Sequence, residues 1–190
     1  MMLKKEGEKN MVYVFLAKGF EEIEALTLVD VLRRAEITVK MVAVDAQGKM
    51  VTGAHGISVL ADCMEEEVVV DQAQMFVLPG GMPGTTNLEQ NETVQQALAH
   101  ATTSGKWIAA ICAAPMILGN KGYLKNKEAI CYPGFEKYLQ GAVIKDNRVN
   151  IYDTFITSKG PGTASDFSFA IVSVLKNQDI AHQLKVKMQY

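Results

Sequence analysis

The 190-residue chain is poor in residues that announce a chemistry: three cysteines, three histidines, one tryptophan and five prolines. Cys63, Cys112 and Cys131 stand too far apart for a CxxC redox pair or a local zinc knuckle. An odd number of cysteines without local partners argues for free thiols in a reducing compartment. A basic excess is also missing. Lys plus Arg number 19 against 21 Asp plus Glu, a net charge of -2, which speaks against the strongly positive face of a nucleic-acid binder. No apolar run approaches the ~20 residues of a membrane span. Residues 1–10 (MMLKKEGEKN) lack the apolar centre of a signal peptide. They read as a disordered leader, and the expected location is the cytoplasm.

What the chain does contain is an alternation of strand-length apolar runs with helical periodicity. Residues 11–17 (MVYVFLA) form a continuous apolar strand, residues 21–35 place Ile23, Leu26 and Val29 at helical spacing, and residues 38–44 (TVKMVAV) return to strand. This β-α-β opening predicts a parallel sheet covered by helices. Gly48, Gly53 and Gly56 punctuate residues 45–62 and predict a small antiparallel hairpin. Further strands are expected at 75–78, 107–111, 142–144, 148–152 and 155–158, and helices at 92–104, 115–122, 163–176 and 179–185. Thr163 is expected to cap the penultimate helix. The fold class is α/β, a flavodoxin-like three-layer sandwich with a mainly parallel sheet and a small antiparallel hairpin. Sheets of this kind carry their sites beyond the carboxyl ends of the strands.

Three such strand ends hold chemistry-bearing residues. In IAAICAAP (108–115) a buried strand runs into Cys112, then two small residues, then a proline suited to the first turn of a helix. That is the layout of a nucleophile elbow, in which the helix N-terminus favours the thiolate. The alternative is a buried structural cysteine; the strand-to-helix junction favours the reactive reading for Cys112, and not for Cys63 or Cys131. LPGGMPG (78–84) can bring backbone amides close to an anion, the Gly81 amide among them, or can simply be a tight turn. KGFEEIE (18–24) places three acids at a helix start, where acids normally complement the helix dipole. Glu24 shares the apolar spacing of Leu28, so its carboxyl group can point inward, where burial would raise its pKa and let it hold a proton beside a thiolate.

Taken together, AKGFEEIEA, VLPGGMPG, AAICAAP and TSKGPGTASDF, spread from residue 17 to 167, resemble the ThiJ/PfpI family and in particular its DJ-one branch. The resemblance implies one ThiJ/PfpI-like (class I glutamine amidotransferase-like) domain over residues 11–190. It implies that Cys112 is the reactive cysteine, Glu24 the acid beside it, and Gly81 and Ala113 the sources of amides around the sulfur. It also implies a homodimer with the site near the subunit interface. Two departures matter. Ala113 stands where the protease-like branch has histidine, so peptidase activity is not expected. Tyr132 stands where animal members of the DJ-one branch place a histidine, and tyrosine is a poor base at neutral pH. His55 falls where relatives place a polar residue reaching across the dimer, and is either such a residue or a plain turn histidine. Pro161 and Gly162, in a loop the family places near the site, are expected to shape its wall.

The activity implied is that of a glutathione-independent glyoxalase or deglycase acting on small reactive carbonyls, through a hemithioacetal on Cys112 and a proton moved by Glu24. No metal or organic cofactor is required. The alternative from a different class is a redox sensor or stress-protective chaperone that works by oxidation of Cys112 to the sulfinate. A class I amidotransferase would need a downstream His-x-Glu, and the C-terminal third offers only His182.

Overall fold

The computed structural model describes residues 10–190, so the leader read over residues 1–10 lies outside the described residues apart from Asn10. β1 (Met11–Ala17) is buried along its whole length. Its side chains divide with the two-residue pleat: Val12, Val14 and Leu16 enter the core on one face, and Met11, Tyr13, Phe15 and Ala17 the core on the other. A strand covered on both faces is why its apolar run is continuous rather than alternating.

α1 (Glu22–Arg34) follows β1, and β2 (Val39–Val44) pairs with β1 in parallel. β3 (Met50–Thr52) and β4 (Ser58–Leu60) form the antiparallel hairpin that the glycines predict. The remaining elements are β5 (Cys63–Met64), β6 (Ala73–Leu78), α2 (Gly84–Gln90), α3 (Glu92–Ser104), β7 (Trp107–Ile111), α4 (Pro115–Asn120), β8 (Glu128–Ala129), β9 (Val143–Ile144), β10 (Val149–Tyr152), β11 (Phe155–Ser158), α5 (Ala164–Leu175) and α6 (Gln178–Lys187). The main sheet runs β10-β11-β7-β6-β1-β2-β5, parallel throughout except for the β10–β11 pair. Leu28 and Leu32 of α1, Phe167 and Ile171 of α5 and Leu184 of α6 fill one core. Leu88, Val94, Leu98, Ile117 and Leu118, from α2, α3 and α4, fill the other. Phe15 and Phe76 stack with ring centroids 5.8 Å apart, and deleting either ring would cost about 3–5 kcal/mol.

Three expectations change, and one expected strand lies outside the main sheet. α2 is a helix where the sequence reads only as the tail of a glycine loop; Leu88 is buried and anchors it. The segment around 142–144 is strand, but β9 pairs with β8 in a separate two-stranded sheet. α4 ends at Asn120, short of the glycine stop expected at 122. Thr163 occupies the cap position of α5 without capping it. Its hydroxyl is drawn instead to Gly160, accepting from the amide at 3.1 Å, and to the Ser158 hydroxyl at 2.7 Å.

Chain order explains where the site must lie. From β1 the chain moves outward on one side to β2 and β5, then crosses to β6 and β7 on the other. The loops that leave β1 and β6 therefore part at a topological switch point, where a crevice opens beyond the strand ends. β7, which delivers Cys112, is the next strand along. Among the described residues no helix is long and apolar enough to cross a membrane.

Candidate active site

Cys112 is the first residue after β7 and has φ +65. A non-glycine residue in this left-handed region is held there only by its surroundings. Two backbone bonds do so: the Cys112 amide donates to the Ser158 carbonyl at 3.0 Å, and its carbonyl accepts from the Tyr132 amide at 2.8 Å. Pro115 in the first turn of α4 lets the chain turn at once into the helix. The backbone amides of Ala113 and Gly81 favour negative charge on the sulfur.

Glu24 is 1% exposed in the first turn of α1. One carboxyl oxygen, Oε2, accepts from the Gly80 amide at 2.7 Å; Oε1 is buried without a hydrogen-bond partner among the described residues. The carboxyl group and the Cys112 thiol flank the point that a Cβ on Gly80 would occupy, Glu24 Oε2 at 2.9 Å from it and the sulfur at 3.1 Å. Burial pushes the Glu24 pKa up to about 7, against the opposing pull of the Gly80 amide. Burial also pushes the Cys112 thiol well up, and the Glu24 charge pushes it further, while the Ala113 and Gly81 amides pull it back. Burial and the Glu24 charge thus oppose the pull of the helix terminus toward the thiolate. α4 is six residues long, and its end cannot outweigh burial plus a carboxylate close by. The pocket resists two negative charges, so a thiolate forms when the proton sits on Glu24.

Gly80, which carries no signal of its own in the sequence, is what lets these two groups approach each other. A Cβ there would lie 2.6 Å from the Cys112 Cβ and 2.9 Å from Glu24 Oε2. Gly81 is required for another reason: its φ is +91, and its amide face is set by packing against residues 19–21.

Cys112 opens into a cavity of about 440 Å³ whose lining includes Glu21, Ile23, His55, Met82, Tyr132, Phe135 and Pro161. Thus the structure brings together Cys112, Glu24, Gly81, Ala113, Tyr132 and Pro161. Gly162 is not part of the wall; its carbonyl accepts from the Arg148 guanidinium at 2.6 Å. Tyr132 lines the cavity, with its ring edge-on to Phe135. His55 reaches the cavity of its own chain. Its Nδ1 lies 2.9 Å from Glu22 Oε2, and its amide donates to Glu22 Oε1 at 2.8 Å. The Glu22 bond and the Glu21 charge raise the His55 pKa. Glu22 looks in the sequence like one more dipole-complementing acid; the signal that it does more is the glycine-rich turn whose amides need an acceptor.

The chain is similar to known proteins over most of its length. The model of the DJ-1/PfpI family matches residues 10–174. Protein DJ-1 homolog B of Arabidopsis thaliana is 36% identical over 172 residues, 90% of this chain but 39% of that protein; the chain spans less than half the length of this relative. Protein dj-1beta of Drosophila melanogaster is 35% identical over 179 residues, covering 91% of this chain and 95% of that one. The glutathione-independent glyoxalase DJR-1.2 of Caenorhabditis elegans is 30% identical over 179 residues, 94% and 95% of the two chains. Among solved structures, oxidized Toxoplasma gondii DJ-1 superposes with a TM-score of 0.91 at 31% identity, over 95% of this chain and 98% of that one. By its sequence, its sheet order and its cysteine at the switch-point crevice, the chain belongs to the DJ-1/PfpI family, in the DJ-1 branch.

Proposed function

We propose that this chain is a glutathione-independent enzyme for small 2-oxoaldehydes, with methylglyoxal as the model substrate. The observation that carries the reading is the placement of a buried Glu24, its pKa raised to about 7, beside the Cys112 thiol where both close on Gly80, with Cys112 opening into the cavity. The Cys112 sulfur adds to the aldehyde carbon, and its proton passes by way of Glu24 to the carbonyl oxygen, giving a hemithioacetal. Glu24 takes the proton from that carbon and returns it to the neighbouring carbon through an enediol, leaving a thioester. Water cleaves the thioester to a 2-hydroxy acid and regenerates the thiol. The Ala113 and Gly81 amides steady the oxyanion. Atoms and electrons balance with water as the only co-reactant. The family relationship to a protein described as a glutathione-independent glyoxalase supports the same reading.

The test is turnover of methylglyoxal without glutathione. Cys112→Ser is expected to abolish it, and Glu24→Gln to lower it by roughly 100-fold or more; full activity in either variant would sink the mechanism. A second reading has its own support. The amides that steady an oxyanion would also hold the oxygens of a sulfinate, and a structural relative is described in oxidized form. An inert wild type whose Cys112 peptide gains two oxygens under mild peroxide would favour redox sensing. The exposed apolar residues Met50, Ile57 and Leu60 of the hairpin and Ile23 of α1 suit a second copy of the chain. Light scattering is expected to give twice the chain mass.

A further inference from the structure

We propose that Glu21, Glu22 and His55 form a divalent-cation site, suited to Zn²⁺, at the rim of the Cys112 cavity. One ligand atom from each residue lies within 4.8 Å of the others. Nδ1 of His55 is 2.9 Å from Glu22 Oε2 and 3.4 Å from Glu21 Oε2. A tetrahedral ion with bonds of about 2.0–2.1 Å has ligand-to-ligand edges of about 3.3–3.4 Å, so little movement would close the set around an ion.

Two features separate this from an ordinary surface group of acids. First, the Glu21 side chain is only 9% exposed, and the one polar side chain paired with its carboxylate among the described residues is His55, at 3.4 Å. Its nearest cationic group is the same imidazole that Glu22 already engages. Two buried carboxylates share one imidazole, which leaves the cluster negative even with His55 protonated; a divalent ion bound to neutral His55 would balance it. Second, Glu22 is already built as an oriented ligand. Its Oε1 is fixed by the amides of His55 at 2.8 Å and Ile57 at 3.3 Å, leaving Oε2 turned toward Nδ1. Outer hydrogen bonds of this sort fix a ligand's direction in metal sites. The backbone itself is shaped for it: a Cβ on Gly53 would fall 2.4 Å from Glu22 Oε1.

The ligand chemistry selects the ion. One imidazole and two carboxylates in a three-residue set suit Zn²⁺, whereas Ca²⁺ wants six to eight oxygens. On binding, the proton leaves Nδ1 for solvent. The His55 side chain is 68% exposed, so a fourth coordination position would face water and the cavity. This site is independent of the carbonyl reading.

Zinc alone, competed against a chromophoric chelator at pH 7.5, is the probe. The full chain carrying Cys112→Ser removes the competing accessible thiol and makes the outcome independent of catalysis. One equivalent per chain is expected, bound more tightly than roughly 100 µM. His55→Ala and Glu21→Gln should each weaken it by roughly tenfold or more, with unchanged circular dichroism in the absence of metal. Cobalt should give visible absorption bands that His55→Ala removes. No stoichiometric binding, or binding that survives in well-folded His55→Ala, would overturn the proposal.

Discussion

Cys112 and Cys131 are the same residue placed on two segments that touch. The amide of Tyr132, the residue after Cys131, bonds the Cys112 carbonyl. Burial raises both thiols; for Cys131, pushed up to about 12, the lesser cause is the charge of Glu136. They differ in everything else. Cys112 has a left-handed backbone, two nearby amides that favour its thiolate, a buried carboxyl group close by, and an open cavity in front. Cys131 is 5% exposed and packed among core side chains. Burial alone therefore makes a thiol inert, and reactivity depends on donors and a proton acceptor supplied by other elements.

The sharpest way to break this comparison is alkylation. Iodoacetamide at pH 7.5 should label Cys112 faster than Cys131 by roughly 100-fold or more, read as peptide masses over time. Comparable rates would mean that local unfolding, not the elbow, controls access. Next in size is Gly80→Ala. The added methyl would meet the Cys112 Cβ, Glu24 Oε2 and the sulfur at 2.6–3.1 Å, so the elbow must shift. A loss of about 1–3 kcal/mol in unfolding free energy is expected, with slower Cys112 labelling and unchanged Cys131 labelling. A variant as stable as wild type would show that the loop is less tightly set than its contacts indicate.

Much of this contrast is legible in the order of residues. A strand ending in Cys-Ala-Ala-Pro identifies the elbow, and the spacing of Glu24 with Leu28 points its carboxyl inward. The protonation balance is not legible, because it depends on Glu24 and Cys112, 88 positions apart, being brought together beside Gly80. Gly80 escapes notice for the same reason: its need for a bare Cα comes from two distant side chains and not from its own φ. α2 is missed because GTTNLEQ has one anchoring apolar side chain, Leu88, and follows a loop rich in turn residues. His55 is readable as a polar turn residue near a site, while its link to Glu22 within the chain requires the hairpin to fold back over α1.

Glu24→Gln sharpens the comparison through pH. The folded-state pKa of Glu24 is raised from 4.5 to about 7 by burial, so the native state holds a proton that the unfolded chain has released. Stability on this account is complete below about 4.5 and falls as pH rises toward 7. Glutamine removes the dependence. Melts at pH 5 and pH 8 should show the variant gaining on wild type by on the order of 2 kcal/mol across that interval. An unchanged gap would mean that the carboxyl group titrates normally and cannot serve as the proton acceptor for Cys112.

The smallest effect is expected at Tyr132, the residue that joins the two cysteine segments. Its backbone, not its hydroxyl, makes the bond to Cys112, and its ring lies against Phe135 and beside Gly160. Tyr132→Phe keeps the ring and the amide, so carbonyl turnover and Cys112 labelling should change by less than about threefold, under 1 kcal/mol. A larger loss in turnover with normal labelling would assign the hydroxyl a proton-transfer step and make Glu24 one of two acids at the site. A loss in both would show instead that the ring holds the Cys112 turn in place, and that the segment carrying the inert cysteine helps to activate the reactive one.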